Sequence, residues 1–216
     1  MAAPQLPTRA NLVTETAVLL RRQGYSGTGL KEILAASGCP KGSLYHYFPG
    51  GKDELVVAAL EAAGSRVEQV LQELLPHRPR PNARQLRDDI SAVFGRFRME
   101  LEQSDYREGC PLATVALEIG SENLAIKNAI RAIYKRWSDA ISEYLKSQGV
   151  RGQQCTEAAS TILYLVEGAF LMARTEQDSR PLARAEKATL ALVAAARTRR
   201  NETESQSNRG RRRKQA

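Results

Sequence analysis

The chain has 216 residues, of which 42% are hydrophobic, and a formal net charge of +8. This length and composition are those of a globular protein with one or two compact units and exclude a disordered chain. Its three cysteines are widely spaced and odd in number, which disfavours a disulfide framework and a zinc module or other metal site.

Targeting and membrane signals are weak. The N-terminus lacks the pattern of a signal peptide, and the apolar run at 158–173 is short and contains Glu167. We therefore predict that this run is a buried helix and not a membrane span. Together with the cysteine usage, this favours a cytoplasmic protein without cofactors.

The positive charge is concentrated at the C-terminal end. Lys and Arg number 6 against 4 Asp and Glu in residues 1–60, 18 against 18 in residues 61–196, and 8 against 2 in residues 197–216. The last segment, RTRRNETESQSNRGRRRKQA, has almost nothing apolar to bury, which predicts a disordered basic tail at 200–216. Such a tail either attracts nucleic acid or only keeps the protein soluble.

Helical periodicity dominates the sequence, and the predicted fold class is all-α. A flexible N-terminus at 1–8 precedes a first helix that ends at Gly24, and Thr28 is a suitable N-cap for the second. The helices predicted in this part of the chain are 11–23, 29–37, 41–47 and about 53–75.

The second and third of these helices have the spacing of a helix-turn-helix over residues 29–48. Ile33 and Leu34 can pack on Leu44 and Phe48, while Gly38 takes the turn. The helix at 41–47 is then free to enter a groove of DNA.

The residues of that helix suit DNA. Gly42 lets the backbone approach a duplex closely, and Lys41 and Ser43 can meet phosphates. Tyr45 and His46 supply groups for phosphates or base edges. At helical spacing, Tyr47 and Phe48 are more often core residues than contacts.

The stretch TGLKEILAASGCPKGSLYHYFPGGKDEL resembles the DNA-binding domain of the tetracycline-repressor (TetR) family, over residues 9–60. It departs from the family pattern at Pro40, at Leu34 and in the longer PGG spacer. The resemblance implies a helix-turn-helix domain at 9–52 and a connecting helix at 53–75. The DNA contacts that it implies are Thr28, Lys41, Gly42, Ser43, Tyr45, His46 and Lys52.

A second, larger helical unit is predicted at 82–199, after the linker PHRPRP at 76–81. Within it, GCPLATVALEIGS at 109–121 is similar to the regulatory domain of a TetR subgroup that contains repressors of multidrug and lincomycin efflux. Two Ala-rich helices, about 153–175 and 181–199, follow. The resemblance implies that they form a homodimer interface, and the alternative is that they close the core of a monomer. The small residues at issue are Ala158, Ala159, Gly168, Ala169, Ala188, Ala191 and Ala195.

The family resemblance also implies a cavity for a small apolar or aromatic effector in this regulatory unit. Each candidate lining residue would also suit an ordinary core. Glu167 needs a partner if it is buried, and an arginine is favoured over a cationic ligand. The predicted lining consists of Phe94, Phe97, Cys110, Leu117, Trp137, Ile141, Tyr164 and Glu167.

The sequence contains no catalytic set of residues, so an enzyme is not expected. It has neither a complete G-x-S-x-G motif nor a P-loop, and its two histidines lie in the DNA motif and in the linker. We predict a ligand-responsive repressor that binds palindromic operator DNA as a homodimer. The alternative is a DNA-binding dimer whose C-terminal unit serves only dimerisation or protein interaction.

Overall fold

The computed structural model describes residues 8–78, 82–119 and 123–213, with side chains described through Arg197. In this part of the chain, nine α-helices and no strands are present, which confirms the all-α prediction. The helices are α1 (Arg9–Gly27), α2 (Leu30–Ser37), α3 (Lys41–Tyr47), α4 (Lys52–Leu74), α5 (Ala83–Gln103), α6 (Pro111–Glu118), α7 (Leu124–Ser147), α8 (Gln153–Glu176) and α9 (Arg180–Arg213).

The chain divides into two compact units whose boundaries differ from the expected linker at 76–81. The first unit comprises the residues up to Gln69 together with Gln103–Lys135, and the second comprises Val70–Glu102 with the residues from Arg136 onward. Helix α6 joins the first unit because it packs on α1. Helices α4 and α7 each contribute residues to both units.

The two ends of α1 are set by Thr8 and Gly24. The Thr8 hydroxyl oxygen accepts a bond from the backbone N–H of Asn11 at 3.4 Å, as an N-cap does. Gly24 has φ +71°, so the regular helix is interrupted there, as predicted, before a short turn that ends at Gly27.

Thr28 does not cap α2, contrary to the prediction. The N-cap residue is Gly29, and the Thr28 hydroxyl instead donates back to the Gly24 carbonyl oxygen at 2.6 Å. Thr28 is fully buried, because the short turn after Gly24 folds its side chain inward.

The helix-turn-helix has its own apolar core, and the predicted inward positions are confirmed. Ile33, Leu44 and Phe48 are buried in it, and Leu34 packs against it while partly exposed. Gly38 has φ +66° and ends α2 in the left-handed conformation expected of the turn residue. The buried residues of this core are Leu12, Val13, Leu19, Ile33, Cys39, Leu44, Phe48 and Leu55.

The C-terminal helix is longer than predicted. Helix α9 continues through Arg213, where a disordered tail from residue 200 was predicted, and residues 214–216 of that tail lie outside the described residues. Elongating an existing helix adds one hydrogen bond for each residue fixed, and Arg, Glu and Gln are good helix formers. The predicted flexible segment at 1–8 lies outside the described residues except for Thr8.

Helix α8 is buried on one face only, which corrects the prediction of a buried helix at 158–173. Its inner face consists of Cys155, Ala158, Ala159, Ile162, Ala169 and Ala173. Tyr164, Leu171 and Met172 are exposed on the outside. Among the described helices, α8 is the one that is long and apolar enough to cross a membrane, a test that core helices of soluble proteins also pass.

Candidate nucleic-acid interface

The outer face of α3 carries most of the predicted DNA contacts. Leu44 points inward and is 1% exposed, whereas Lys41 and Gly42 are exposed and Tyr45 exposes 45% of its surface. His46 is exposed beside Tyr45, and Ser43 is half-buried. The helix therefore presents a cation, hydroxyl groups and an imidazole on one accessible surface.

Gly42 is not required by the fold of the chain itself. A Cβ atom added there would meet no other atom within 4 Å, so a larger side chain would project into open space. The preceding N-cap, Pro40, provides no side-chain hydrogen bond to the helix, as its lack of a polar side chain predicts. A small residue at this open position suits the close approach of a partner's backbone.

Tyr47 lies on the surface, contrary to the prediction that it belongs to the core. It is 37% exposed, and its ring meets the ring of His46 edge-on with centroids 5.0 Å apart. Leu44 and Phe48, one helical turn apart, take the inward positions, which leaves Tyr47 at the margin of the face. Tyr47 therefore joins the candidate interface, whereas buried Thr28 lies away from its surface.

Lys52, the first residue of α4, is held by Tyr25. Its ammonium group donates to the Tyr25 carbonyl oxygen at 2.7 Å and lies 3.8 Å from the centroid of the Tyr25 ring. Burial lowers the pKa of Lys52 from its ordinary value, and the negative charges of Asp53 and Glu118 oppose that shift. Because an ammonium group has three N–H donors, the bond to one carbonyl is compatible with a further bond to phosphate.

Tyr25 is a residue that the sequence reasoning missed. Its hydroxyl donates to Asp53 at 2.5 Å, and Asn123 donates to the other oxygen of the same carboxylate at 2.8 Å. Burial, followed by the hydrogen bond and charge of Asp53, raises the pKa of Tyr25 to about 12. No local sequence pattern marks Tyr25, because Lys52 and Asp53 follow it by 27 and 28 residues.

Two family models match the chain in the parts that carry these features. Residues 12–59 match the model of bacterial regulatory proteins of the tetR family. Residues 87–188 match the C-terminal domain of LmrA/YxaF-like transcriptional regulators.

Individual relatives agree with the family models. The chain is 32% identical over 179 residues to the HTH-type transcriptional regulator Rv0196 of Mycobacterium tuberculosis, covering 81% of this chain and 88% of that one. The chain belongs to the TetR family of bacterial transcription regulators. LmrA of Bacillus subtilis is 29% identical over 175 residues, which cover 81% of this chain and 90% of LmrA.

A solved structure supports the same TetR fold. The crystal structure of the reduced form of NemR from Escherichia coli has a TM-score of 0.72 and 26% identity, covering 84% of this chain and 94% of that chain. NemR is an HTH-type transcriptional repressor. Its sequence is 29% identical to this chain over 182 residues, which cover 81% of this chain and 88% of NemR. These relatives are regulators of transcription that carry a DNA-binding helix-turn-helix.

Four of the eight predicted effector contacts are buried in the second unit of this TetR-family chain. They are Phe94, Phe97, Trp137 and Ile141. The rings of Phe94 and Phe97 meet edge-on with centroids 6.4 Å apart, and Phe97 lies 5.5 Å from Phe170, a residue that was not predicted. Helices α5 and α8 thus contribute to one aromatic cluster.

The other four predicted effector contacts are less buried than these. Cys110 and Leu117 belong to the first unit, and Leu117 is 84% exposed. Tyr164 is 73% exposed on α8, and Glu167 is half-buried. Leu117 and Tyr164 are therefore surface residues of this chain and not part of its interior.

The second unit also contains a buried acid that the sequence reasoning missed. Asp89 is 5% exposed, accepts a bond from the Tyr144 hydroxyl at 3.0 Å and forms an ion pair with Arg78. Burial and the Asp89 charge raise the pKa of Tyr144 well above its ordinary value. Asp89 follows another aspartate on a polar stretch of sequence, so only its helical register with Leu86 and Phe97 indicated an inward position.

Proposed function

We propose that this TetR-family protein is a ligand-responsive repressor that binds palindromic operator DNA as a homodimer and is released by a small apolar or aromatic molecule. We further infer that it acts in the cytoplasm. The observation that carries the DNA-binding part is the outer face of α3. Its exposed cation, hydroxyl groups and imidazole stand on a helix whose position is fixed by the buried Leu44 and Phe48.

The repressor role is supported by a named relative. NemR, which matches over most of both chains, is a transcriptional repressor. A protein that covers its operator blocks transcription without any catalytic group, and the second unit is then available for a regulatory ligand.

Dimerisation is supported by the exposed faces of α8 and α9. The small residues identified in the sequence separate into two groups: Ala158, Ala159 and Ala169 are buried within the single chain, whereas Gly168 is exposed on α8. Ala188, Ala191 and Ala195 are exposed along one stripe of α9. Small residues on exposed helix faces let the helices of a second copy approach closely.

Tyr164 belongs to the exposed surface that we propose for dimerisation. With Gly168, Leu171 and Met172 it forms the α8 outer face, which is apolar and exposed in the single chain. We assign Tyr164 to the proposed dimer interface in preference to the effector site. A two-fold dimer that binds a palindrome presents its two α3 helices to major grooves about 34–36 Å apart or a multiple of that distance.

Release of DNA by an effector requires two conformations with different affinities for it, because a ligand that binds both equally shifts nothing. Helix α4 is the proposed lever, since it begins at Lys52 and its last residues belong to the second unit. A compound bound near Phe97 and Trp137 would displace that helix. By linkage, operator DNA would weaken effector binding by the same factor.

The DNA-binding proposal is tested by titrating purified protein with fluorescently labelled duplexes from its own upstream region, at low and moderate salt. The proposal predicts a dimer bound to one palindromic site, with an affinity that falls as salt rises. Failure to bind any such fragment at low salt, or binding by the monomer alone, would contradict it.

The effector proposal is tested separately by screening apolar and aromatic compounds for quenching of the fluorescence of Trp137, the single tryptophan. A compound that quenches this signal should also lower operator affinity, and Trp137→Phe is the optical control. If every compound that binds leaves operator affinity unchanged, the alternative of a dimer without ligand control is favoured.

A further inference from the structure

Glu118, the last residue of α6, is bonded to the backbone of the short turn that follows Gly24 at the end of α1. One carboxylate oxygen accepts from the backbone N–H of Tyr25 at 3.1 Å, and the other accepts from the N–H of Ser26 at 2.6 Å. Consecutive N–H groups that face one carboxylate form a compact anion-binding arrangement. The side chain of the last α6 residue thus fixes the backbone directly before the helix-turn-helix.

The residue before this pair of N–H groups fits the same contact. Gly24 has φ +71°, and a Cβ atom added there would lie 1.6 Å from Oε1 of Glu118. Glycine at this position therefore provides both the backbone conformation and the space that the carboxylate occupies.

Tyr25 connects this contact to a predicted DNA contact. Its N–H group is bound by Glu118, and its carbonyl oxygen binds the ammonium group of Lys52 at 2.7 Å. Its hydroxyl group donates to Asp53, the neighbour of Lys52. A displacement of the Tyr25 backbone would consequently move the group that holds Lys52.

We propose that Glu118 is a positioning residue for DNA binding, which fixes the Tyr25 turn so that Lys52 is held ready for a phosphate. This inference rests on the proposed function. Without the carboxylate, two N–H groups lose their acceptor and the turn at Gly24 samples more conformations. Ordering that turn again when DNA binds would reduce the affinity.

The proposed role differs from that of a stabilising surface contact. Glu118 is an exposed residue, and a single exposed polar contact adds little to the free energy of unfolding. Operator affinity depends on where Lys52 lies, so it should respond to Glu118 more strongly than stability does.

A double-mutant cycle with Glu118→Gln, Lys52→Ala and the combined variant tests this coupling. Gln keeps the size of the side chain but replaces one acceptor oxygen with an NH2 donor, which cannot accept the second backbone N–H. We expect Glu118→Gln to weaken operator binding about tenfold, because ordering the backbone of about one residue of the turn again has a cost of this order. We expect the combined variant to bind no more than about twofold less tightly than Lys52→Ala alone, since coupled sites are not additive.

Salt titrations of the same four proteins provide a second readout. Loss of one phosphate contact should reduce the slope of log affinity against log salt by about 0.9. Glu118→Gln and Lys52→Ala should reduce the slope alike, and the combined variant should not reduce it further. Thermal melting should show that all four proteins fold with similar stability.

Glu108, in the loop between α5 and α6, provides a control carboxylate that also contacts α1. Its carboxylate accepts from the side chains of Arg21 at 3.4 Å and Arg22 at 2.9 Å, whereas the backbone N–H groups of Tyr25 and Ser26 bind Glu118. Glu108→Gln removes a carboxylate charge as Glu118→Gln does, and it should leave operator affinity within about twofold of wild type.

If the losses of operator affinity caused by Glu118→Gln and Lys52→Ala multiply in the combined variant, the positioning role is wrong. It is also wrong if Glu118→Gln binds operator as tightly as wild type. The wild-type titration tests the proposed function by itself. If wild type binds operator and the cycle shows no coupling, the positioning inference fails while the proposed function stands.

Discussion

Two exposed surfaces of this chain, on α3 and on α8, differ in the chemistry that they offer a partner. The α3 face presents the ammonium of Lys41, the hydroxyl of Tyr45 and the ring of His46 around an open glycine. The α8 outer face presents Leu171 and other apolar groups. The first suits a charged, hydrogen-bonding duplex, and the second suits an apolar surface of another protein.

The difference shows that exposure alone does not define a function. Both helices bury one face in their own unit, through Leu44 and Phe48 in α3 and through Ala159 and Ala173 in α8. What remains outside is determined by the residues at the other helical positions.

The largest effect is expected from Leu171→Glu on the α8 outer face. If two copies meet there, the substitution buries a charge without a partner twice in each dimer, and each such burial costs several kcal/mol. We expect a monomer by light scattering at micromolar concentration, and operator affinity reduced by more than about 100-fold, since each lost 1.4 kcal/mol is tenfold.

Leu117→Glu is the matched control for that experiment. Leu117 is also an exposed leucine, at 84%, but it lies on α6 in the first unit. It should leave the oligomeric state unchanged. A dimeric Leu171→Glu protein would show that the α8 outer face is not the interface.

The second prediction concerns the α3 face. Tyr45→Ala removes an exposed hydroxyl and ring and should weaken binding to all sequences by about tenfold, as the loss of one good contact does. His46→Ala and Ser43→Ala should instead change the preferred sequence at one position in each half-site, measured by selection from a randomised duplex library. An unchanged affinity after Tyr45→Ala would remove α3 from the interface.

The helix-turn-helix could be predicted from sequence because its determinants are local. Gly38, Leu44 and Phe48 lie within eleven residues, and their turn conformation and inward positions follow from residue type and helical period. The same helical period wrongly predicted that Tyr47 belongs to the core, because this residue lies at the margin of the buried face. Deciding between core and surface at such a margin requires knowing which neighbouring helix covers it.

The contacts around Tyr25 could not be predicted, for a physical reason. Glu118 follows Tyr25 by 93 residues, and its role depends on α6 packing against α1 in the first unit, whereas the sequence pattern favoured a separate domain after the linker. No periodicity encodes such a distant backbone contact. Gly24 was the one sequence feature that could have indicated the contact with Glu118. A glycine is common where a helix ends, however, so it did not point to a further contact.

The third prediction uses the raised pKa of Tyr25. An unfolded tyrosine loses its proton near its ordinary pKa of 10.0, whereas folded Tyr25 keeps it to about 12. The hydrogen bond to Asp53 therefore contributes its full stability below pH 10.0, and this contribution is lost as the pH rises to about 12. The stability difference between wild type and Tyr25→Phe should decrease across that window in urea titrations.

The ionisation of Tyr25 can also be measured directly. The ultraviolet difference titration of wild type minus Tyr25→Phe should show one phenol that ionises well above the ordinary range. Asp53→Asn should lower its pKa, because the carboxylate supplies two of the causes of the shift. An ordinary pKa in wild type would contradict the bond to Asp53.

The smallest effect is expected from the C-terminal end of α9. Residues 201–216 contain four arginines and one lysine against two glutamates, and a basic segment of this kind attracts phosphates without reading bases. Deleting 201–216 should leave folding and the preferred site unchanged, while non-specific affinity and its salt dependence decrease. A second variant, with the five basic residues replaced by Gln, keeps the length of the segment and so separates the effect of its charge from that of its length. If the salt dependence of non-specific affinity decreases equally in both variants, the charge is responsible and the α3 face alone sets sequence preference. If it decreases in neither variant, the segment serves solubility, and the interface with DNA is confined to the helix-turn-helix and the start of α4.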